Sequence, residues 1–159
     1  MTGKINIRRV EEAEIPGMTA ARIDYLTEMQ GERSAEYKQE LQQNLTQFFR
    51  QSIQEQRFFA LQAEYEGVIV SYGGMILKKI PGDFNQSSYL EGEILNMYTP
   101  PEYRRKGYSS LVLENLLQEA KSMGVSKVAL HCSRAGEPLY RKYGFLDPVY
   151  PYLELIITD

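Results

Sequence analysis

Arg104, Arg105 and Lys106 stand directly before Gly107, Tyr108 and Ser109 in this chain of 159 residues. Three cations, then a residue without a side chain, then the start of a periodic apolar stretch suit a turn that receives an anion. The first N–H groups of a helix have no partner inside the helix and carry the positive end of its dipole. Such a terminus holds phosphate oxygens. Gly107 lets the backbone come close to the ligand, and the three cations add charge. A basic turn before a helix also serves as a plain solvated cap. The stretch is neither a Walker A loop nor a G-x-G-x-x-G fingerprint, which disfavours a dinucleotide-dependent oxidoreductase.

Other chemistry-bearing residues are few. His131 is the only histidine. An imidazole titrating at about 6.5 suits proton relay, yet between Leu130 and Cys132 on a strand it reads first as structural. Cys132 is the only cysteine, so neither an intramolecular disulfide nor a cysteine-based zinc site can form. It has no activating partner in the sequence, which disfavours a covalent acyl-cysteine route. Glu93 falls in a strand-like stretch where strict alternation puts Glu91, Glu93, Leu95 and Met97 on one face. A carboxylate there can bind an ammonium group or accept its proton through water; it also reads as a solvated or salt-bridged strand residue.

The elements that must position these residues can be read from periodicity. Ile5, Ile7 and the run Arg8 to Val10 predict a first strand. Pro16 opens a helix that runs to about Met29, with Gly31 as its stop. Ser34 caps a second helix whose apolar positions are Leu41, Leu45, Phe48, Phe49 and Ile53. Phe59, Leu61 and Ala63 alternate as in a strand, Glu66-Gly67 turns the chain, and Val68 to Leu77 returns as the second arm of a hairpin. Gly73-Gly74 within it predicts a bulge or a close backbone approach. Lys78 to Ser88 reads as an exposed loop, and Tyr89 to Thr99 as a strand stopped by Pro100-Pro101. Gly107 to Met123 is the clearest helix, closed by Gly124. Lys127 to Cys132 is a strand, Glu137 to Tyr143 a short helix ended by Gly144, and Tyr152 to Thr158 a last strand. The order β-α-α-β-β-β-α-β-α-β predicts an α/β fold, a mixed sheet flanked by helices, in one domain over residues 1–159.

Tyr103-Arg104-Arg105-Lys106-Gly107-Tyr108-Ser109 resembles motif A, Q/R-x-x-G-x-G/A, of the GCN5-related N-acetyltransferase (GNAT) superfamily. Leu139-Tyr140-Arg141-Lys142-Tyr143-Gly144-Phe145 resembles that family's L-Y-x-x-x-G-F signature. The two lie about thirty residues apart with a helix and a strand between them. Ser109 replaces the usual Gly or Ala, Ser133 stands where many members have Asn, and Gly136 where many have Ala. The run from His131 to Gly136 is similar to that of a less characterised bacterial subgroup. The resemblance implies a mostly antiparallel sheet and acetyl-CoA as co-substrate, without a metal. Its pantetheine arm would lie along Met97, Tyr98 and Thr99, with the N–H near Met97 polarising the thioester carbonyl. The N–H groups of Arg105, Lys106, Gly107, Tyr108 and Ser109 would hold the pyrophosphate, with Arg104 adding charge and Ser133 near the arm. Tyr140 would be the general acid, since a phenol with a pKa of about 10 is matched to a departing thiolate. Glu93, eleven residues before Arg104, has the spacing of the glutamate base of histone acetyltransferases in this superfamily. The implied reaction is direct attack of a primary amine in a ternary complex; the alternative is a non-catalytic acyl-CoA-binding regulatory module of the same fold.

Composition bounds the partners. A net charge of −3 with 43% hydrophobic and 25% charged residues is that of an ordinary globular chain and gives no reason to expect nucleic acid. No apolar stretch approaches the roughly 18 residues of a membrane span, and the N-terminus lacks a signal-peptide run; the expectation is a cytoplasmic protein with no membrane partner. In the family resembled, the acceptor pocket is built from the first two helices and the hairpin loops. Here these supply Tyr25, Glu28, Glu32, Glu36 and Tyr37, with residues 78–88 opposite, and the acids can attract a cationic small-molecule or peptide amine. The sequence does not fix the oligomeric state; small members of the superfamily often dimerise, and a homodimer is the assembly the resemblance allows.

Overall fold

A computed structural model describes residues 3–158. Five strands form one sheet in the order β1-β2-β3-β4-β5. They are β1 (Ile5–Arg9), β2 (Phe58–Tyr65), β3 (Val68–Pro81), β4 (Ser88–Tyr98) and β5 (Val125–Ala129). The first four pair antiparallel; β4 and β5 pair parallel. Helices α1 (Ile15–Gln30) and α2 (Ala35–Gln54) precede β2, α3 (Tyr108–Ser122) links β4 to β5, and α4 (Glu137–Lys142) follows β5. This is the mixed sheet flanked by helices that the element order implied, mostly antiparallel as the resemblance implied. Among the described residues no helix is long and apolar enough to cross a membrane.

Two apolar clusters hold helices to opposite faces. Phe59, Leu61, Ala63, Met75 and Ile94 pack with Val112, Leu113 and Leu116 of α3 and Tyr140 of α4. Phe58, Ala60, Tyr72 and Tyr98 pack with Ile15, Met18 and Ala21 of α1 and Phe49 of α2. The alternation of β2, odd residues to α3 and even residues to α1 and α2, is the period-2 pattern of a strand buried on both faces. Local signals behaved as their chemistry dictates. Ser34 Oγ accepts from Tyr37 N at 3.2 Å and caps α2, and Gly124 closes α3 with φ +82°.

Several sequence expectations shift. Residues 78–81 are strand, not loop, because they pair with β4 as far as Pro81↔Ser88; the exposed connection is residues 82–87. Strand β5 starts at Val125 and stops at Ala129, so His131 and Cys132 lie beyond it and are exposed. The predicted last strand, Tyr152 to Thr158, does not pair with the sheet: these residues have no regular structure and are exposed. β-branched and aromatic content predicts a strand only where a ladder is available to receive it.

Candidate active site

Tyr108, which opens α3 after the predicted anion turn, and Tyr140, the predicted acid, belong to one buried cluster, and β4 and β5 separate after Glu93. The parallel ladder runs Leu90↔Val125, Glu91↔Lys127, Gly92↔Val128, Glu93↔Ala129 and ends there. Beyond Glu93, β4 keeps β3 on one side and has no strand on the other. Residues 94–99 therefore present an open backbone edge, able to pair with an extended ligand as a strand would.

A bulge sits in this edge. Register between β3 and β4 shifts between Tyr72 and Gly74, opposite Tyr98 and Leu95, and Asn96 takes φ +60°. Asn tolerates the left-handed region better than most residues. The extra residue flips the alternation: Leu95 packs toward α1 and α2, whereas Met97 packs toward α3. The expectation that Glu91, Glu93, Leu95 and Met97 share one face thus fails at Met97, because a bulge adds one residue to the period of two. Opposite it, Gly73 makes room. A Cβ there would lie 2.6 Å from Met97 Sδ and 2.7 Å from Val112 Cγ1.

Asn96 is held from the helix side. Arg22 Nη1 of α1 donates to Asn96 Oδ1 at 2.8 Å. Asn96 is only 6% exposed, and its Nδ2, like Arg22 Nε, has no hydrogen-bond partner. Arg22 has no carboxylate partner among the described residues, and burial lowers its pKa. Sequence reasoning missed both residues. An Asn inside an apolar strand was the available signal, since Asn is depleted from strands; nothing in the sequence marks Arg22.

The turn itself has the geometry expected of it. Gly107 takes φ +84° as the residue capping α3, with open space around the position of a Cβ. Arg105 takes φ +62°, a cost of about 1–3 kcal/mol that the surroundings must offset and that is typical of functional turns. The first intrahelical bond is Leu111 N to Gly107 O, which leaves the N–H groups of Tyr108, Ser109 and Ser110 as helix-end donors. Thr99, Arg104, Arg105, Gly107 and Ser109 line a cavity of about 190 Å³ at this point. Ser71, Thr99 and Ser109 form a hydroxyl chain, with oxygens 2.8 and 2.7 Å apart, that ties the end of β4 to the start of α3.

The side chains of the motif divide. Arg105 and Lys106 are exposed and have no carboxylate within salt-bridge reach among the described residues. Arg104 is committed elsewhere: Nε donates to Thr99 O at 2.8 Å, and Nη2 donates to both oxygens of Glu28. It clamps the turn to α1. Arg104, with the Tyr98 hydroxyl, holds the Glu28 carboxyl below the usual carboxylate range. Tyr108 is buried beside Tyr65, so only its N–H faces the turn. The hydroxyl of Ser133 accepts from Gly136 N at 3.1 Å and shapes the start of α4, with its own hydrogen free to donate.

Tyr140 is 8% exposed, with its ring edge against Phe145 at 5.7 Å between centroids. No protein group among the described residues hydrogen-bonds its hydroxyl. Burial foremost, with Cys132 and Tyr25 adding, pushes its pKa up to about 12, so the phenol is a proton donor throughout the neutral range. Glu93 sits on the last rung before the strands part, and Lys78 Nζ donates to its carboxylate at 2.6 Å. The acids expected at the acceptor site are also largely paired: Glu28 with Arg104, and Glu32 with Lys38 at 2.6 Å. Glu36 and Tyr37, near the start of α2, are exposed.

The family model of the acetyltransferase (GNAT) family matches residues 20–145. The chain is similar over 61 residues, at 38% identity, to an uncharacterised N-acetyltransferase, YedL, of Escherichia coli; the match covers 35% of this chain and 38% of that protein. Among solved structures, a predicted acetyltransferase of Clostridium acetobutylicum determined with acetyl-CoA superimposes with a TM-score of 0.83 at 27% identity, covering 97% of both chains. A GCN5-related N-acetyltransferase of Ralstonia eutropha shares the fold, with a TM-score of 0.78 at 19% identity over 96% of this chain and 99% of that one. A family match over most of its length places the chain in the GNAT family of acetyltransferases.

Proposed function

We propose that the protein, as a single domain, transfers the acetyl group of acetyl-CoA to a primary amine by direct attack in a ternary complex. The observation that carries this reading is the parting of β4 from β5 after Glu93, which leaves the last stretch of β4, the one that leads to the Gly107 turn, with an open edge. One continuous path then offers an open strand edge for an extended amide-bearing arm and helix-end N–H groups for a pyrophosphate. Arg105 and Lys106 supply the exposed charge there. Arg104 acts through Glu28 as a clamp on the turn.

In the reaction, the neutral amine nitrogen attacks the thioester carbonyl carbon, and the C–S bond breaks as the tetrahedral adduct collapses. The N–H of the bulged strand near Met97 stabilises the oxyanion. Tyr140 gives its proton to the departing thiolate and recovers one from solvent; the amine's surplus proton leaves through water to Glu93. For Glu93 to take it, the Lys78 ammonium must swing aside or relay the proton. The paired state of Glu28 and Glu32 means that the acceptor site is less acidic than the residue types alone imply. The acceptor is a small-molecule or peptide amine.

Thermal shift with acetyl-CoA, CoA and NAD, followed by thiol release across an amine panel, tests the proposal. Stabilisation by both CoA species and not NAD, with amine-dependent thiol release, is the expected result. Stabilisation with no turnover on any amine would point instead to a non-catalytic acyl-CoA-binding module. No stabilisation by either CoA species would defeat the reading of the turn.

A further inference from the structure

We propose that the acceptor amine also carries a carboxylate, bound by Arg22 and Asn96 on the α1 side of the β4 bulge; this rests on the acetyl-transfer reading and names its substrate class. The first observation is a surplus of donors. Arg22 Nη1 donates to Asn96 Oδ1 at 2.8 Å, which engages the only acceptor atom of the two side chains. Arg22 Nε and Asn96 Nδ2 are buried donors without a partner, and Asn96 is 6% exposed. Buried donors are nearly always bonded, so an orphan needs a reason. The second observation is charge. Burial lowers the Arg22 pKa, and no carboxylate among the described residues pairs with it. Of the acids on α1, Glu28 is bound to Arg104 and Tyr98, and Asp24 is exposed. A half-buried cation without a counter-ion is costly.

Unpaired donors beside an unneutralised charge select a ligand that only accepts and that is negative. A carboxylate presents two oxygens in one plane, the shape that a guanidinium edge matches. Position supplies the third observation. Asn96 directly precedes Met97, whose N–H faces the thioester carbonyl in the reaction proposed. Met97 and Tyr140 pack on the α3 face of the sheet, whereas Arg22 belongs to α1, which packs on the other face. The groups that handle the donor and the guanidinium thus flank β4 from opposite sides. Tyr25 bears on the ionisation of both Arg22 and Tyr140, so the two are neighbours of one residue. Arg22 keeps partial exposure, the opening a ligand needs. An amine tethered to a carboxylate at Arg22 is held within reach of the thioester carbon. A polyamine would bring a second cation against Arg22, which is unfavourable.

Thiol release from acetyl-CoA with the common α-amino acids, β-alanine and γ-aminobutyrate, each beside its primary amide, tests the proposal; putrescine and phosphoethanolamine complete the panel. The amide has the less basic amine, so amine reactivity alone favours the amide. The best acid is expected to exceed its amide by at least about 10-fold in kcat/KM, the worth of hydrogen bonds to a charged group, and to exceed putrescine. In Arg22→Gln and in Asn96→Asp the acid-to-amide ratio should fall toward one. Asn96→Asp keeps the size and the tolerance of the left-handed region at this position and gives Arg22 an anion of its own, so it gives an answer even if Arg22→Gln misfolds. A ratio near one in the parent would overturn the proposal, as would a ratio that survives Asn96→Asp. So would a preference for putrescine or for phosphoethanolamine. If no amine is turned over, the acetyl-transfer reading fails, and calorimetric titration of the same acids and amides into the CoA-loaded protein decides the carboxylate site separately. Binding of an acid and not of its amide supports the site; equal or absent binding overturns it.

Discussion

Replacing Tyr140 by Phe removes one oxygen and leaves the ring. In the fold that oxygen has no protein partner, while the ring is buried between the α3 face of the sheet and Phe145. Removing a hydroxyl that makes no bond alters stability by at most about 1 kcal/mol, a melting-temperature change within about 4 °C for a domain of this size. The chemistry should be affected far more. Loss of a positioned general acid costs about 10²–10⁴-fold, or about 2.7–5.4 kcal/mol of barrier. The assay is thiol release at saturating acetyl-CoA with the best amine of the panel, beside isothermal titration of acetyl-CoA. The expected outcome is a kcat lower by at least about 100-fold with Kd for acetyl-CoA near that of the parent. The pH profile adds a second check. With its pKa pushed up to about 12, the phenol stays protonated through the neutral and mildly alkaline range. The alkaline limb of kcat should therefore carry no ionisation of Tyr140 near the ordinary phenol value. A variant turning over like the parent would refute the acid assignment; equal losses in kcat and in acetyl-CoA affinity would refute the separation of chemistry from binding.

Other perturbations follow from the same geometry. Gly73→Ala forces a methyl group against Met97 and Val112; overpacking of about 1–3 kcal/mol should lower the melting temperature by roughly 2–12 °C, and KM for acetyl-CoA should rise as Met97 is displaced. Arg105→Ala/Lys106→Ala should weaken acetyl-CoA binding by roughly 3–30-fold, at about 0.3–1 kcal/mol per exposed charge, with a smaller loss at high salt; titration at two ionic strengths reads both. Glu14 bonds Arg8, with both contacts at 2.6 Å. Arg8 first, then the Glu11 N–H and Gln62, holds the Glu14 pKa down to about 2 from 4.5. Because the folded value is the lower one, the stabilisation is complete above pH 4.5 and is lost as pH falls toward 2. Acid titration of stability should be steeper in the parent than in Glu14→Gln over that window.

Legibility in the sequence tracked the range of the interactions involved. Ser34, Gly124 and the Glu66-Gly67 turn act on backbone within a few residues, so their signals stood in the sequence and the helix ends and hairpin followed. The Gly73-Gly74 pair announced a bulge or a close backbone approach; the register shift falls at Gly73, with the extra residue on the facing strand β4. What the bulge does to its partner strand was not legible. Met97 left the face assigned to it because Asn96 adds a residue to β4, a consequence of pairing with β3. Loop 78–88 shrank for a similar reason, since the ladder with β4 recruits residues of low strand propensity.

By itself, the order of residues determined most of the elements and the basic glycine turn ahead of a helix. These depend on local conformational preference and on the period of apolar side chains, both written along the chain. Only the tertiary structure decided that Arg104 turns to Glu28 while Arg105 and Lys106 stay free, that Glu93 meets Lys78 at the fork of β4 and β5, that Arg22 props the bulge at Asn96, and that the strand-like C-terminal run finds no ladder of its own. Each of these depends on which residues, distant in sequence, are brought within a few ångströms by the packing of helices on two faces of one sheet; periodicity carries no record of that.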